Sequence, residues 1–455
     1  MLLSIPQTSH RFGGLLIEEE TKVVELDAGM VDSSVFALGQ RKKHEQLAEE
    51  ERQPRGSIGI PPAVLEAMFG QMAIIVPCKD ESTETIEGVL SGIPHSCLVV
   101  LVSNSSRFPQ DRYAQEVEML TDFCRFAGYG RSRPFMAIHQ KDPEAAGALA
   151  AAGMPEILDG SDGLVRNGKG EGMILGVALV AALCQPQRRF VGFVDADNQV
   201  PGAVNEYCKA YAAGFAMNIN SASCTAAVPT VATNTMVRIV WGSKPKVKNG
   251  QIVYDRDGRS SRVANKWLNY LLADISGPDQ RVASAASLTN IVVTGNAGEH
   301  AMDMDLALKL RLASGYAIEP FHFVDLLHQL ATSTTTTTST TAPPAGPKFK
   351  PVKILQIRTR NPHFHRPSDE SHIQKMRRAA LGAIYHYLPL RTPPGGPDGL
   401  SLGDRIRACI GIPPAPLVYP PIERLDMAVF RARIMADRKA GSFASFGVPE
   451  KVVQG

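Results

Sequence analysis

Several features that would mark a specialised class of protein are missing from this 455-residue chain. None of its seven cysteines (Cys78, Cys97, Cys124, Cys184, Cys208, Cys224, Cys409) stands in a CxxC pair or at zinc-finger spacing. That argues against a disulfide framework and a structural zinc site, and fits reduced thiols in the cytosol. No stretch approaches the roughly 18 to 20 apolar residues of a membrane span. The N-terminal MLLSIPQTSHRFGG also lacks a basic region followed by a long apolar run, so a soluble, cytoplasmic protein is expected. Charge of one sign is not in excess: 48 basic against 45 acidic residues leave a net +3, mixed along the chain, with no electrostatic case for nucleic acid or an anionic membrane. A Walker A signature and internal repeats are absent too.

What is present is a chain with 44% apolar residues, enough for a sizeable core. From Met72 onward, short continuous apolar runs alternate with helical segments. The runs are AIIV (73–76), CLVVLV (97–102), FMAIH (135–139) and FVGFVD (190–195), and the helices lie near 111–127, 143–152 and 172–184. This alternation predicts the α/β class, a mainly parallel sheet covered on both faces. Ligands in such sheets sit beyond the carboxyl ends of the strands. The residues there are Pro77, Lys79 and Glu81 after the first run, Ser103 and Asn104 after the second, Gln140 and Lys141 after the third, and Asp195, Ala196 and Asp197 after the fourth.

The second half predicts a strand over TMVRIVW (235–241), a helix near 263–275, a strand at NIVVT (290–294) and a helix near 303–314. We divide the chain into an N-terminal extension (1–70, with a short strand at 22–26 and a charged helical stretch at 41–52) and a catalytic domain (71–330). The domain divides into two halves, about 71–200 and about 201–330. A Thr/Pro-rich run (331–347) too polar to bury surface is expected to be disordered. A closing segment (348–390) follows, and beyond the break RTPPGGPDG a tail (391–455) of undisclosed role.

Asp195-Ala196-Asp197 would emerge at the sheet's carboxyl edge, a seat suited to Mg2+ or Mn2+ beside a substrate phosphate, although an isolated DxD also fits a surface turn. Gly168-Lys169-Gly170-Glu171-Gly172 opens a helix, so its backbone N–H groups and the Lys169 charge suit a phosphate; an ordinary glycine-rich loop fits equally. Thr294-Gly-Asn296-Ala297-Gly298-Glu299-His300 reads as an anion nest or a tight connection. His363 and His365, two apart in NPHFH, include a candidate metal ligand.

The motifs IIVPCKDE, LSGIPH, HQKD, GKGEGM, GFVDADN, PGAVNEY, GNAGEHAMDMDLA and NPHFH, in this order, resemble those of the mannosyl-3-phosphoglycerate synthase family, from the N-terminal RFGG to about residue 385. The resemblance implies a retaining transferase of the GT-A, Rossmann-like fold. It implies transfer of mannose from GDP-mannose to 3-phosphoglycerate, giving 2-O-(α-D-mannosyl)-3-phosphoglycerate, a precursor of the compatible solute mannosylglycerate, by a metal-dependent homodimer. Carried over by position, Pro77, Lys79 and Glu81 hold the nucleoside, Ser103, Asn104, Gln140 and Lys141 lie near the base, and Lys169 faces the diphosphate. Asp195, Ala196 and Asp197 form the DxD element, with His363 or His365 completing the metal site. Arg166, Asn296, Ala297, Gly298 and Glu299 serve the acceptor. A fused phosphatase is not expected, since DADNQ ends in Gln199 where the phosphatase pattern wants Thr or Val.

Three alternatives stay open at this level. A glucosyl-3-phosphoglycerate synthase would use another donor. A sugar-phosphate nucleotidyltransferase should show a Gly-rich loop with Arg and Lys where PCKDE stands. A nucleotide-sugar sensor would bind without turnover. For chemistry, same-face attack assisted by the metal and Lys169 is preferred over a covalent glycosyl-enzyme, because no carboxylate stands apart as a nucleophile.

Overall fold

The structure, a computed structural model, describes residues 1–27, 56–126, 132–218, 233–248, 251–255, 258–275, 290–330, 350–365, 369–387, 401–437 and 443–447. The charged stretch 41–52, the Thr/Pro-rich run 331–347 and the break 391–399 lie outside the described residues.

One 13-stranded sheet organises the molecule. Its strands are β1 Leu2–Ser4, β2 Ser9–Phe12, β3 Leu15–Glu18, β4 Thr21–Glu25, β5 Ser57–Gly59, β6 Met72–Cys78, β7 Leu98–Ser103, β8 Phe135–His139, β9 Phe190–Phe193, β10 Asn234–Val240, β11 His300–Asp303, β12 Val352–Arg358 and β13 Ala444–Phe446. The spatial order is β13-β8-β7-β6-β9-β11-β10-β12-β4-β1-β5, with β3 also on β12 and β2 on β3. Strands β8, β7, β6 and β9 are mutually parallel, and their apolar runs are buried on both faces. The pleat sorts them: Ile75, Val100, Met136 and Ile138 face one core, while Ile74, Leu101, Phe135 and Ala137 face the other, as a period of two requires. Helices cover both faces, in keeping with the expected α/β class.

Strand β11 is antiparallel to both β9 and β10, so β10 runs in the same direction as β9, and β12 joins β10 in parallel. The carboxyl ends of β6, β7, β8, β9, β10 and β12 therefore share one edge with the start of β11. That edge gathers more segments than the four strand ends read from the sequence.

Helices follow local chemistry. Helix Thr83–Gly92 is capped by Ser82, which accepts from the Thr85 amide, and Pro143–Ala151 by Asp142, which accepts from Ala145, each satisfying an orphan donor. Helix Lys169–Cys184 is buried nearly all round, as expected for a helix apolar on every face. It starts three residues earlier than its periodicity predicts.

Two expectations fail. Residues 290–294 form no strand, because side chains take their backbone groups: Asn269 bonds both the N–H and C=O of Val292 (each 2.9 Å), and Gln356 Oε1 accepts from Val293 N (2.9 Å). The helix near 303–314 covers only Met304–Lys309. A two-residue strand, Leu312–Ala313, then pairs antiparallel with Val418–Tyr419, which brings the C-terminal segment against the core.

Candidate functional site

Lys169, the first residue of its helix, reaches the shared strand edge. Its ammonium lies 2.6 Å from Asp195 Oδ1 and 2.7 Å from Glu319 Oε1. The Lys169 side chain is 13% exposed and that of Glu319 2%, while that of Asp195 is 30% exposed, so the pair Lys169–Glu319 is largely removed from water and Asp195 stands at its open side. Burial works against the ammonium, yet Asp195 and Glu319 outweigh it and hold the Lys169 pKa well above its ordinary value. Glu319 was not anticipated. It stands 150 residues from Lys169 on helix Ile318–Leu330, in a stretch without a local motif.

Asp197, two residues beyond Asp195, is pushed up to about 7 by burial and by the neighbouring charges of Asp195, Glu299 and Glu81. The Nδ1 of His365 lies 3.8 Å from Asp197 Oδ2. His363 is held by other neighbours: its Nδ1 is 3.0 Å from the Tyr207 hydroxyl, its ring stacks on Trp241 with centroids 4.6 Å apart, and the His365 ring lies 5.1 Å from it. Asn361, Arg360 and Glu206 explain how this segment is held, because Glu206 accepts from both backbone amides (2.8 and 2.6 Å) and from the Asn361 side chain (2.7 Å).

The loop before β11 packs against the same group. Asn296, Ala297 and Glu299 are buried, and Glu299 accepts from Asn198 Nδ2 (3.1 Å) and Trp241 Nε1 (2.9 Å). Gly298 is needed for the approach: a Cβ there would lie 2.5 Å from Asp195 Oδ2 and 2.8 Å from Lys169 Nζ. Arg238, fully buried, fastens the loop from behind by donating to the Thr294 carbonyl through Nε (3.0 Å) and Nη2 (2.8 Å). Lys244, also unanticipated, places its ammonium 3.7 Å from the Trp241 ring centroid. Burial lowers its pKa, against the pull of Glu299, Asp197 and Asp195.

The strand ends β6 to β8 form the other wall. Asp80 takes a left-handed φ of 56°, fixed by its carboxylate accepting from Ser106 N (2.9 Å) and by Ser105 Oγ accepting its own N–H (2.7 Å). Pro77 and Glu81 flank this turn as half-buried residues, and Lys79 is exposed. Asn104 is half-buried, while Ser103 and Gln140 are buried. The Gln140 amide donates to the carbonyls of Arg166 (2.6 Å) and Gly168 (3.1 Å), so it braces the glycine-rich loop rather than facing the cleft. Lys141 pairs with Asp162 (3.0 Å), and Arg166 lies 3.9 Å from Asp159. Asp195, Asp197, Lys169, Gly298, Glu299 and His365 thus meet; Lys141 and Arg166 are engaged with the neighbouring 159–162 turn.

A crowded group of carboxylates around one ammonium, beside helix-start amides, suits an anionic substrate held with a cation. Among the described residues no three His, Cys, Asp or Glu side chains form a ready-made metal cage. No helix there is long and apolar enough to cross a membrane.

Comparisons with known proteins place this site in a family. A model described as Mannosyl-3-phosphoglycerate synthase (osmo_MPGsynth) matches residues 5–434. The mannosyl-3-phosphoglycerate synthase of Pyrococcus furiosus is 36% identical over 386 residues, 85% of this chain and 84% of that one. That of Aeropyrum pernix is 32% identical over 386 residues, 85% of each chain. Among solved structures, mannosyl-3-phosphoglycerate synthase from Rubrobacter xylanophilus aligns at TM-score 0.42 and 13% identity, over 79% of this chain and 92% of that one. Likeness at that level leaves the sequence matches to decide. The family match spans the Lys169 loop, the DxD element, the GNAGEH loop and the histidine segment alike, and the chain belongs to the mannosyl-3-phosphoglycerate synthase family of glycosyltransferases.

Proposed function

We propose that the chain is a retaining GT-A glycosyltransferase that moves mannose from GDP-mannose to the 2-hydroxyl of 3-phosphoglycerate, releasing GDP. The observation that carries this beyond family membership is the convergence of Lys169, Asp195, Asp197, Gly298 and Glu299 on one strand edge. Residues 71–200 then serve the donor, residues 201–330 the acceptor, and residues 348–390 close the site. A cytoplasmic homodimer is part of the same reading, and sedimentation of the purified chain tests the dimer.

The residues fit a divalent cation. Asp197 is a half-buried carboxylate repelled by Asp195, Glu299 and Glu81, a repulsion that a cation relieves, and His365 stands beside it. Asp197 and His365 would hold Mg2+ or Mn2+, with the remaining positions left to donor phosphate and water, as is usual for Mg2+. His363, bonded to Tyr207 and stacked on Trp241, supports the segment instead. A divalent cation, when bound, neutralises charge developing on the leaving diphosphate.

The chain's own part is positioning and electrostatics. Lys169, held by both oxygens of Asp195 (2.6 and 2.9 Å) and by Glu319 (2.7 Å), places its positive charge at a helix start where phosphate is favoured. Glu299 is oriented by two neutral donors, Asn198 and Trp241, and Asp195 is tied to Lys169. Neither carboxylate stands apart as a nucleophile, which supports attack by the acceptor hydroxyl on the face the diphosphate leaves. The GNAG loop, pressed against Asp195 by Gly298, brings the acceptor to that face. Lys79, Glu81 and Asn104 line the nucleoside side.

Incubation with 3-phosphoglycerate, Mg2+ and each of GDP-mannose, GDP-glucose and UDP-glucose, followed by mass spectrometry and NMR of the product, tests the reading. A mannosylated product from GDP-mannose alone is expected. A product only from a glucose donor would replace it with glucosyl transfer, and no product with any donor would refute transfer.

A further inference from the structure

Tyr419 belongs to the C-terminal segment to which the sequence assigns no role. Its hydroxyl donates to Glu171 Oε1 at 2.6 Å, and both residues are 1% exposed. Glu171 sits in the first turn of the helix that Lys169 begins, inside the glycine-rich loop. Its other oxygen accepts from Gly315 N at 3.1 Å. Burial pushes the Glu171 pKa up, and the Tyr419 hydroxyl and Gly315 amide pull it back, so these two donors are what make the buried carboxylate tolerable.

Three layers of backbone are stacked here. The glycine-rich loop lies on residues 313–315 so closely that a Cβ on Gly170 would fall 2.4 Å from the Ala313 carbonyl oxygen. Residues 312–314 in turn are held by the C-terminal segment. Ala313 pairs with Val418 and Leu312 with Tyr419, Ser314 N donates to Leu417 O (2.9 Å), and Leu417 N donates to Ser314 Oγ (3.1 Å). Tyr419 is the residue whose side chain passes through to the loop itself.

We infer that Tyr419 is a positioning residue of the donor site: through Glu171 it fixes the backbone that carries Lys169, so the 417–419 stretch of the C-terminal segment is a working part of nucleotide-diphosphate binding. This rests on the donor-site reading of the Lys169 loop given above. Tyr419 does not touch the substrate; it sets the place from which Lys169 and the helix-start amides meet the phosphates. Loss of the hydroxyl therefore weakens the donor side selectively.

Calorimetric titration of GDP and of UDP, at fixed Mg2+, into the native chain, Tyr419→Phe, Glu171→Gln and Ile434→Val tests this, together with KM for both substrates. Ile434→Val is the control for general loosening, since Ile434 is fully buried in the same segment on helix Met427–Asp437. GDP binding weakened about ten-fold in Tyr419→Phe, with KM for 3-phosphoglycerate unmoved and Ile434→Val binding GDP normally, is expected. If Tyr419→Phe does not fold, Glu171→Gln reads the same contact from the other side. Native-like GDP affinity in the contact variant, or equal weakening in Ile434→Val, overturns the inference while the transferase reading stands. A native chain that binds neither GDP nor UDP overturns both.

Discussion

A single added carbon at position 298 would enter the space shared by Asp195 and Lys169. Gly298→Ala must separate the GNAG loop from that pair or spread the pair itself. Because a misplacement of about 1 Å can cost on the order of 100-fold in rate, we expect kcat to fall by about that factor while circular dichroism and Tm stay near native; a kcat within three-fold of native would contradict the packing argument. The histidine pair gives a second residue-level prediction. His365→Ala should weaken Mn2+ binding about 10- to 100-fold, the range for disturbing a metal site, read by calorimetry on the chain without substrates. His363→Ala should leave Mn2+ affinity nearly unchanged and instead lower stability by about 2 kcal/mol, since it removes a buried ring bonded to Tyr207. The opposite pattern would reassign the ligand. The sequence left these two histidines equivalent, because spacing alone does not tell which ring turns toward Asp197.

At the scale of elements, strand β11 and helix Ile318–Leu330 bury His300 and His322 together, with ring centroids 5.0 Å apart. Burial, with Arg238 nearby, pushes both pKa values well below the ordinary range. The folded state therefore keeps both rings neutral, while the unfolded chain takes up protons below about pH 6.5. The two rings' contribution to stability is full above that pH and is lost as pH falls through it, with a slope of up to about 1.4 kcal/mol per pH unit for each ring, opposed in part by Asp197, whose raised pKa favours the folded state as pH falls. Urea midpoints measured from pH 7.5 to 5 should show this decline, and His322→Leu should remove one ring's share of it; an unchanged slope would sink the assignment. Helix Arg259–Ile275 supplies another test. Asn269 replaces strand pairing at Val292 with two side-chain bonds, so Asn269→Ala should destabilise the chain by about 2 kcal/mol in chemical denaturation. Hydrophobic pattern alone reads residues 290–294 as a strand, because it sees Val and Ile but not an amide from a distant helix that satisfies the same backbone.

Across the whole molecule, the parallel half was legible because each of β6 to β9 is an uninterrupted apolar run ending in polar residues. The DxD carboxylates, the Lys169 loop and Gly298 were legible for the same reason: each sits where a strand stops or a helix begins. What escaped reading was contributed from afar. Glu319 meets Lys169 across 150 positions, Glu206 holds the turn before the histidines, and Tyr419 reaches Glu171 across 248; no local spacing announces such partners.

The sheet's far side has a consequence for how the chain is made. Strands β3 and β4, formed by residues 15–25, find their parallel partner in β12, residues 352–358. On a ribosome adding about 5 to 20 residues per second, the earliest apolar strands wait on the order of tens of seconds for a neighbour that has not been synthesised. Pairing over such separations is slow and leaves strand edges exposed meanwhile. Refolding of the full-length chain from denaturant should accordingly be slow and sensitive to protein concentration, and cells that overproduce it should depend on chaperones to keep its first strands apart.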